Sequence, residues 1–213
     1  MSKKNISQEK IIQAFLTSAF DKSAGATSLA DVADSLEIKK ASLYNHFESR
    51  EAMYEASIAY CEKEIGQIDF LTQKVLDSVK AGKTTIPAAI KKLIARYFAL
   101  FDSEPLFKMY VFVHTEQYFN KAALKIVQSQ TDKITEDLKK MDISKEMAWS
   151  LTGLILQQLD AYIAVRKETI RQNPETGAGS LFELPSDNNI INKAAKLAET
   201  LIQSCMNGTS LPQ

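Results

Sequence analysis

The sequence predicts an all-α protein, and three observations support this fold class. Glycine and proline are scarce, at 7 and 5 of 213 residues. Long stretches of strict apolar and polar alternation, which mark strands, are absent, and apolar residues recur every three or four positions in segment after segment. A chain of this length with 45% hydrophobic residues is able to bury a core. We therefore expect one large or two small domains built from helices.

The first two helices have starts that the sequence marks. Ser7 offers a cap for a helix whose apolar stripe runs from Ile11 to Phe20. Ser28, with Asp31 three residues later, gives a capping signal for a short second helix. Both helices are expected to bury one face only.

A third helix, after a break at residues 37–39, has an unusual outer face. Only Leu43 and Phe47, four residues apart, are expected to point inward, which leaves Ala41 and Asn45 on the opposite face. The polar residues of this face include no carboxylate. DNA phosphates favour lysines, hydroxyls and backbone N–H groups, and base edges need short side chains that reach into the major groove. The segment thus has the form of a helix-turn-helix, although an ordinary solvated helix face would show a similar pattern.

The remaining segments keep the helical period. Ser49 offers a cap for a fourth helix, and we expect a further helix from about Tyr60 to Val79. Pro87 is a favoured first residue for a helix that runs through Phe101, and an aromatic-rich helix follows from Pro105. The last three helices are expected over residues 122–141, 144–172 and 187–206.

Charge, cysteine content and hydropathy exclude several classes of protein. Lys plus Arg and Asp plus Glu both count 26, so attraction to a polyanion must come from local placement of charge. Neither the two cysteines nor the two histidines have the spacing of a metal site. No phosphate-binding loop or nucleophile motif occurs, and we expect neither a cofactor nor an enzyme. Because no apolar run approaches the length of a membrane span, we expect a cytoplasmic protein with no membrane partner.

The stretch SLADVADSLEIKKASLYNHFESREAMYE, residues 28–55, resembles the TetR family of bacterial transcriptional repressors. The family pattern ends in a small residue, a hydroxyl residue, Leu-Tyr, any residue, His or Tyr, and Phe, which residues 41–47 reproduce. Three positions depart from it: the usual glycine of the turn is Glu37, the usual Ser or Thr cap is Lys39, and the aromatic residue after the first helix is Ala24. A lost capping hydroxyl costs about 1 kcal/mol, so we expect the third helix to start loosely without DNA.

The resemblance implies a helix-turn-helix DNA-binding domain of three helices over residues 1–48, and a helical effector-binding and dimerisation domain over residues 49–213. It also implies that Thr27 and Ser28 hold a phosphate and that Arg50 reaches the DNA backbone. Asn45 suits adenine on chemical grounds. The expected DNA-contacting residues are Thr27, Ser28, Lys39, Lys40, Ala41, Ser42, Tyr44, Asn45, His46 and Arg50.

The later helices offer candidates for an effector site and a dimer interface. Most aromatic residues there must be core, because an aromatic stripe at helical spacing is more often packing than a ligand site. The candidates for contacting an effector are Tyr97, Phe101, Tyr110, His114, Gln117, Trp149 and Gln157. The last two helices carry broad apolar stripes, so two copies could form a four-helix interface around a two-fold axis. The expected interface residues are Leu151, Ile155, Leu159, Tyr162, Ala194, Ala198, Leu201 and Ile202.

Two functions from different classes fit these observations. The first is a ligand-responsive repressor, a homodimer that a small, mainly hydrophobic effector releases from a palindromic operator in double-stranded DNA. The second is a helical small-molecule carrier or enzyme that uses the aromatic C-terminal region, with the N-terminal helices serving as structure. Salt-dependent binding to duplex DNA separates the two, because a carrier should show none. The resemblance favours the repressor.

Overall fold

The helices of the computed structural model, which describes residues 6–173 and 188–206, confirm the all-α prediction. No strand occurs in these two ranges, and none of their helices is long and apolar enough to cross a membrane. In chain order the helices are α1 Gln8–Lys22, α2 Leu29–Ser35, α3 Lys40–Leu43, α4 Arg50–Gly66, α5 Gln73–Lys80, α6 Ile86–Phe101, α7 Leu106–Glu116, α8 Lys121–Lys139, α9 Lys145–Gln172 and α10 Asn188–Met206.

The helix bounds differ clearly from the prediction at α3, which was expected to include Phe47 and ends at Leu43, and between Tyr60 and Val79. We expected a helix from about Tyr60 to Val79, but α4 runs on to Gly66 and α5 begins only at Gln73. The connection contains a buried residue, Leu71, whose backbone N–H donates to a carboxylate oxygen of Asp137 at 3.0 Å. In a continuous helix the Leu71 N–H would donate to a backbone carbonyl four residues earlier, whereas here it donates to the side chain of Asp137, far away in the sequence.

The described helices form two compact units, and the first holds α1 to α4 together with α7. Its described residues are 6–67 and 105–128, so it is larger than the DNA-binding domain expected over residues 1–48. Phe15 of α1, Tyr54 of α4 and Phe112 of α7 form a triangle of edge-to-face ring contacts, with centroids 5.9, 6.0 and 6.4 Å apart. Such contacts favour one fixed arrangement of the three helices.

The second unit contains α5, α6, α9, α10 and the later part of α8. Helix α10 packs along α6 and α9. The rings of Phe98 on α6 and Tyr162 on α9 lie 5.7 Å apart, and one turn further along both helices Asp102 forms a largely buried ion pair with Arg166. An apolar contact and a paired charge thus fix the register of α6 against α9.

Candidate nucleic-acid interface

The start of α2 is fixed by the capping box that the sequence predicts. The Ser28 hydroxyl accepts the backbone N–H of Asp31 at 3.2 Å, and the Asp31 carboxylate accepts the Ser28 backbone N–H at 2.7 Å. Lys22 Nζ lies 2.6 Å from the same carboxylate. Hydrogen bonds from the Lys22 ammonium and then from Ser28 hold the pKa of Asp31 well below its usual range. The carboxylate is therefore charged at neutral pH and completes the cap.

The turn between α2 and α3 ends α2 in a Schellman motif. The N–H of Glu37 donates to Asp34 O at 3.1 Å, and the N–H of Ile38 donates to Ala33 O at 3.0 Å. Glu37 has a φ of 56°, the left-handed conformation that glycine adopts without strain. Glu37 stands where the resemblance led us to expect glycine, and the backbone keeps the glycine-type conformation despite the side chain.

Helix α3 is a single turn, Lys40–Leu43, and Lys39 at its N-cap makes no capping side-chain hydrogen bond, because a lysine has no acceptor to offer. The chain continues in tight turns, since the N–H of His46 donates to Leu43 O at 2.9 Å and the N–H of Phe47 to the same oxygen at 3.0 Å. Leu43 and Phe47 are buried, as predicted, with 1% and 8% of their surface exposed. They anchor the segment against the first unit.

The outer face of this segment is exposed and carries no carboxylate between residues 38 and 47. Lys39, Lys40, Ala41, Tyr44 and Asn45 are exposed, and Ser42 and His46 are half-buried. One polar contact near this face was not anticipated: Gln8 Nε2 of α1 donates to His46 O at 3.1 Å. Nothing in the local sequence signals it, because the partners are 38 residues apart. The face presents the ammonium, hydroxyl and amide groups that phosphates and base edges bind.

Thr27 does not fit the role that the resemblance implied. Its side chain is 1% exposed, and its hydroxyl donates to Ser23 O at 2.8 Å, so it is not presented to a phosphate. Arg50 also faces its own unit: Nε donates to Thr27 O at 2.7 Å and Nη2 donates to Ala24 O. Ser28 is exposed and remains the candidate phosphate contact at the start of α2, but its hydroxyl donates to the Asp31 carboxylate at 2.7 Å and must give up that bond to reach a phosphate.

The seven candidate effector residues are distributed over both units. Tyr110, His114 and Gln117 belong to the first unit, where the Tyr110 and His114 rings stack at 3.8 Å. Tyr97 and Phe101 are buried in the second, and the Tyr97 hydroxyl accepts a hydrogen bond from Gln130 Nε2 at 2.8 Å. Gln157 is exposed, and Trp149 is 71% exposed instead of lining a cavity. Their common role in binding an effector stays a prediction.

A groove of about 510 Å³ does open on the second unit, between the first turns of α6 and the outer face of α10. None of the seven candidate effector residues lines it. Its lining residues are Thr85, Pro87, Ala88, Lys91, Ala195, Glu199 and Gln203.

The expected dimer residues lie mainly inside the protomer, which corrects their role. Seven of the eight are at most 4% exposed and pack within the second unit, and only Leu201 is half-buried. The stripe we selected on α9 faces the core, as the contact between Tyr162 and Phe98 illustrates. Trp149, Val165 and Leu197 are the large apolar side chains of α9 and α10 that are exposed in the described structure, at 71%, 45% and 48%.

The N-terminal helices are similar in sequence to those of known bacterial regulatory proteins. Residues 11–57 match the family described as bacterial regulatory proteins, tetR family. The negative transcriptional regulator IcaR of the biofilm operon icaADBC from Staphylococcus aureus strain Newman is 28% identical over 134 residues, which cover 62% of this chain and 68% of that protein. The IcaR of Staphylococcus epidermidis is 39% identical over 64 residues, 30% of this chain and 34% of that protein.

Solved structures extend the similarity along the chain. A TetR transcription regulator from Haloarcula marismortui has a TM-score of 0.57 at 13% identity, over 92% of this chain and 96% of that chain. A TetR transcriptional regulator from Legionella pneumophila has a TM-score of 0.56 at 19% identity, over 92% of this chain and 98% of that chain. At these identities the likeness concerns the fold, and it confirms the predicted fold class.

Proposed function

We propose that this chain, a member of the TetR family of bacterial regulatory proteins, represses transcription by binding a palindromic operator in double-stranded DNA. The observation that supports this most directly is the exposed face of residues 39–46, which has no carboxylate and is anchored by the buried Leu43 and Phe47. In this proposal α3 enters the major groove, where Ala41 and Asn45 approach base edges. Lys40 and Ser28 bind phosphates on either side.

Repression is the direction of regulation suggested by the relatives, since IcaR is described as a negative regulator. The named relatives and structures are all transcriptional regulators. None of these similarities supports the alternative of a carrier or enzyme. Nor does the described interior of the second unit favour it, because Tyr97 and Phe101 pack edge to face at 5.0 Å and are fully buried.

A homodimer is part of the proposal, with an interface that differs from the one expected. Trp149, Val165 and Leu197 expose apolar surface on α9 and α10. Trp149 and Val165 point to nearly opposite sides of α9 at about 100° per residue, so one of them, together with Leu197, would form a self-complementary contact. One turn of recognition helix gives limited specificity, whereas a two-fold pair reads two half-sites about one helical turn of DNA apart. The proposed interface therefore uses the exposed faces of α9 and α10, and not the apolar stripes that are buried inside the protomer.

A small, mainly hydrophobic effector completes the proposal. Either the aromatic residues of the second unit move apart to admit it, or it occupies the groove between α6 and α10, which has a volume suited to a small molecule. Binding in either place would act on α6, which packs against both α9 and α10. These are the helices that the proposed dimer uses, so an effector could change the spacing of the two DNA-reading heads.

The test of the DNA-binding function is selection of bound sequences from random duplexes, followed by titration of the selected site over a range of salt concentrations. We expect a palindromic consensus and a log–log salt dependence of negative slope. Lys40→Ala should weaken all sequences alike and flatten that slope by about 1. Lys63→Ala is the matched control, because Lys63 is exposed on α4 and ion-pairs with Glu64 outside the α3 face. Absence of duplex binding at physiological salt would reject the function.

A further inference from the structure

The loop between α1 and α2, residues 23–28, contains a strained residue at its start. Ser23 ends α1 with φ 82° and ψ 156°, a backbone conformation that is essentially reserved for glycine. A serine keeps such a conformation only if the surrounding structure over-determines it.

Three hydrogen bonds within the chain segment itself contribute. The Ser23 N–H donates to Ala19 O at 2.9 Å, and the N–H of Thr27 donates to Ala24 O at 3.2 Å. The hydroxyl of Thr27 donates to Ser23 O at 2.8 Å. These bonds join residues between Ala19 and Thr27, so they tie the loop to the end of α1 and do not fix it against another helix.

Arg50, the first residue of α4, supplies the contact to another helix. Its Nε donates to Thr27 O at 2.7 Å, and its Nη2 donates to Ala24 O. Its Nη1 lies 3.8 Å from a carboxylate oxygen of Glu51. The planar guanidinium thus spans two carbonyls of the loop, which a lysine ammonium, as a single point charge on a flexible stem, does not reproduce.

We propose that Arg50 is a positioning residue of the DNA-binding unit: it clamps the strained loop onto α4 and so fixes where Ser28 starts α2. The proposal rests on the proposed DNA-binding function and changes the role of one residue within it. A phosphate contact would need the guanidinium to face outward, whereas two of its nitrogens already donate to buried or nearly buried backbone. Arg50 then influences DNA affinity through the fraction of molecules whose loop is closed.

The experiment compares Arg50→Lys, Arg50→Met, Ser23→Gly and the double variant Ser23→Gly/Arg50→Lys in the full chain. Amide hydrogen exchange at Thr27 reports loop opening, and exchange at Ile58, in the middle of α4, reports unfolding of the unit. Titration of a selected duplex at several salt concentrations reports affinity and the number of phosphate contacts.

We expect Arg50→Lys to reduce exchange protection at Thr27 by about tenfold or more, because two charge-assisted hydrogen bonds are lost. The loss of protection at Ile58 should be smaller. DNA affinity should fall while the salt slope stays within error. Ser23→Gly should restore part of both losses in the double variant, since glycine adopts the loop conformation without strain. Arg50→Met should behave like Arg50→Lys.

A phosphate contact gives a different pattern and would overturn the proposal. In that case Arg50→Lys leaves exchange and affinity within about twofold, Arg50→Met lowers the salt slope by about 1, and Ser23→Gly rescues neither variant. If Arg50→Lys fails to fold, recovery of folding in the double variant supports the clamp, and continued failure rejects relief of Ser23 strain as its mechanism. If the parent protein binds no duplex, the proposed function is rejected. The amide hydrogen exchange measurements still decide whether Arg50 holds the loop.

Discussion

Tyr54→Phe tests how firmly α7 is joined to α4 and so to the helices proposed to bind DNA. The Tyr54 hydroxyl donates to Glu116 Oε2 at 2.7 Å, and Glu116 is only 9% exposed. Burial, and then the hydrogen bond to Glu116, raise the pKa of Tyr54, so the phenol remains a donor well into the alkaline range. Phenylalanine keeps the ring that packs against Phe15 and Phe112 and removes only the donor.

The expected cost follows from what remains after the hydroxyl is lost. A hydrogen bond to a charged group contributes about 1.5–3 kcal/mol, and a buried acceptor left without its donor costs a similar amount. Tyr54→Phe should therefore lower the free energy of unfolding by about 2 kcal/mol, roughly a thirtyfold change in the equilibrium constant. Tyr60→Phe is a matched control, since the Tyr60 hydroxyl donates to Glu9 Oε1 at 3.0 Å in an exposed setting. Its cost should stay below about 0.5 kcal/mol.

Urea unfolding followed by circular dichroism measures both variants against the parent. A change in midpoint without a change in slope would mark a difference in stability alone. Equal losses for the two variants would refute this reasoning, because the larger loss expected for Tyr54→Phe comes from burial of the Glu116 carboxylate and not from the chemistry of the Tyr–Glu pair. A loss below about 0.5 kcal/mol for Tyr54→Phe would show that water replaces the hydroxyl at Glu116.

Four further outcomes can be checked on the same protein. Asn45→Ala should lose about 1–3 kcal/mol on the selected duplex and relax one consensus position, and an unchanged consensus would remove Asn45 from base reading. Glu37→Gly should raise the urea midpoint by relieving a left-handed strain of about 1–2 kcal/mol, offset in part by the greater entropy of glycine in the unfolded chain. Glu37→Ala, which keeps the strain, should not raise it. Leu197→Glu should yield monomers with intact helix content in sedimentation, and a persistent dimer would move the interface elsewhere. Because Lys22 depresses the pKa of Asp31, the stabilisation from that carboxylate is present at neutral pH and lost as the pH falls below about 4. Asp31→Asn should therefore destabilise at pH 7 and differ progressively less from the parent in acid.

Helix starts were predictable because their determinants are local. The hydroxyls of Ser7, Ser28, Ser49 and Ser144 each accept a backbone N–H three residues later, as a capping serine does. Because the two partners are only three residues apart, such a contact can be predicted from the local sequence. The end of α4 was not predictable in the same way, because the bond from the Leu71 N–H to Asp137 joins residues 66 positions apart.

The direction of an apolar stripe was harder to predict than its existence. Helix α9 is apolar on more than one side, and either side could have faced a second copy. The choice is made by neighbours that the local pattern does not contain: Phe98 of α6 takes the side that carries Tyr162, and the ion pair of Asp102 with Arg166 fixes the same side. Trp149 is left on the surface by that choice, not by its own composition.

The face proposed to bind DNA was also predictable only in part. The four-residue spacing of Leu43 and Phe47 predicted which residues face outward, and both are buried even though α3 itself ends at Leu43. The orientation of Arg50 did not follow, because a guanidinium suits phosphate oxygens and backbone carbonyls alike, and its carbonyl partners lie 23 and 26 residues away.

The internal contacts of the first unit have a consequence for regulation. Helix α7 shares an aromatic cluster with α1 and α4, and Tyr54 adds a partly buried hydrogen bond from α4 to Glu116 of α7. A displacement of α7 must therefore either carry α1 and α4 with it or break that bond. If Tyr54→Phe weakens the joint without changing the α3 face, DNA affinity should stay near that of the parent while any effector response that passes through α7 becomes weaker. An equal loss of both would mean that the joint also shapes the DNA-binding face.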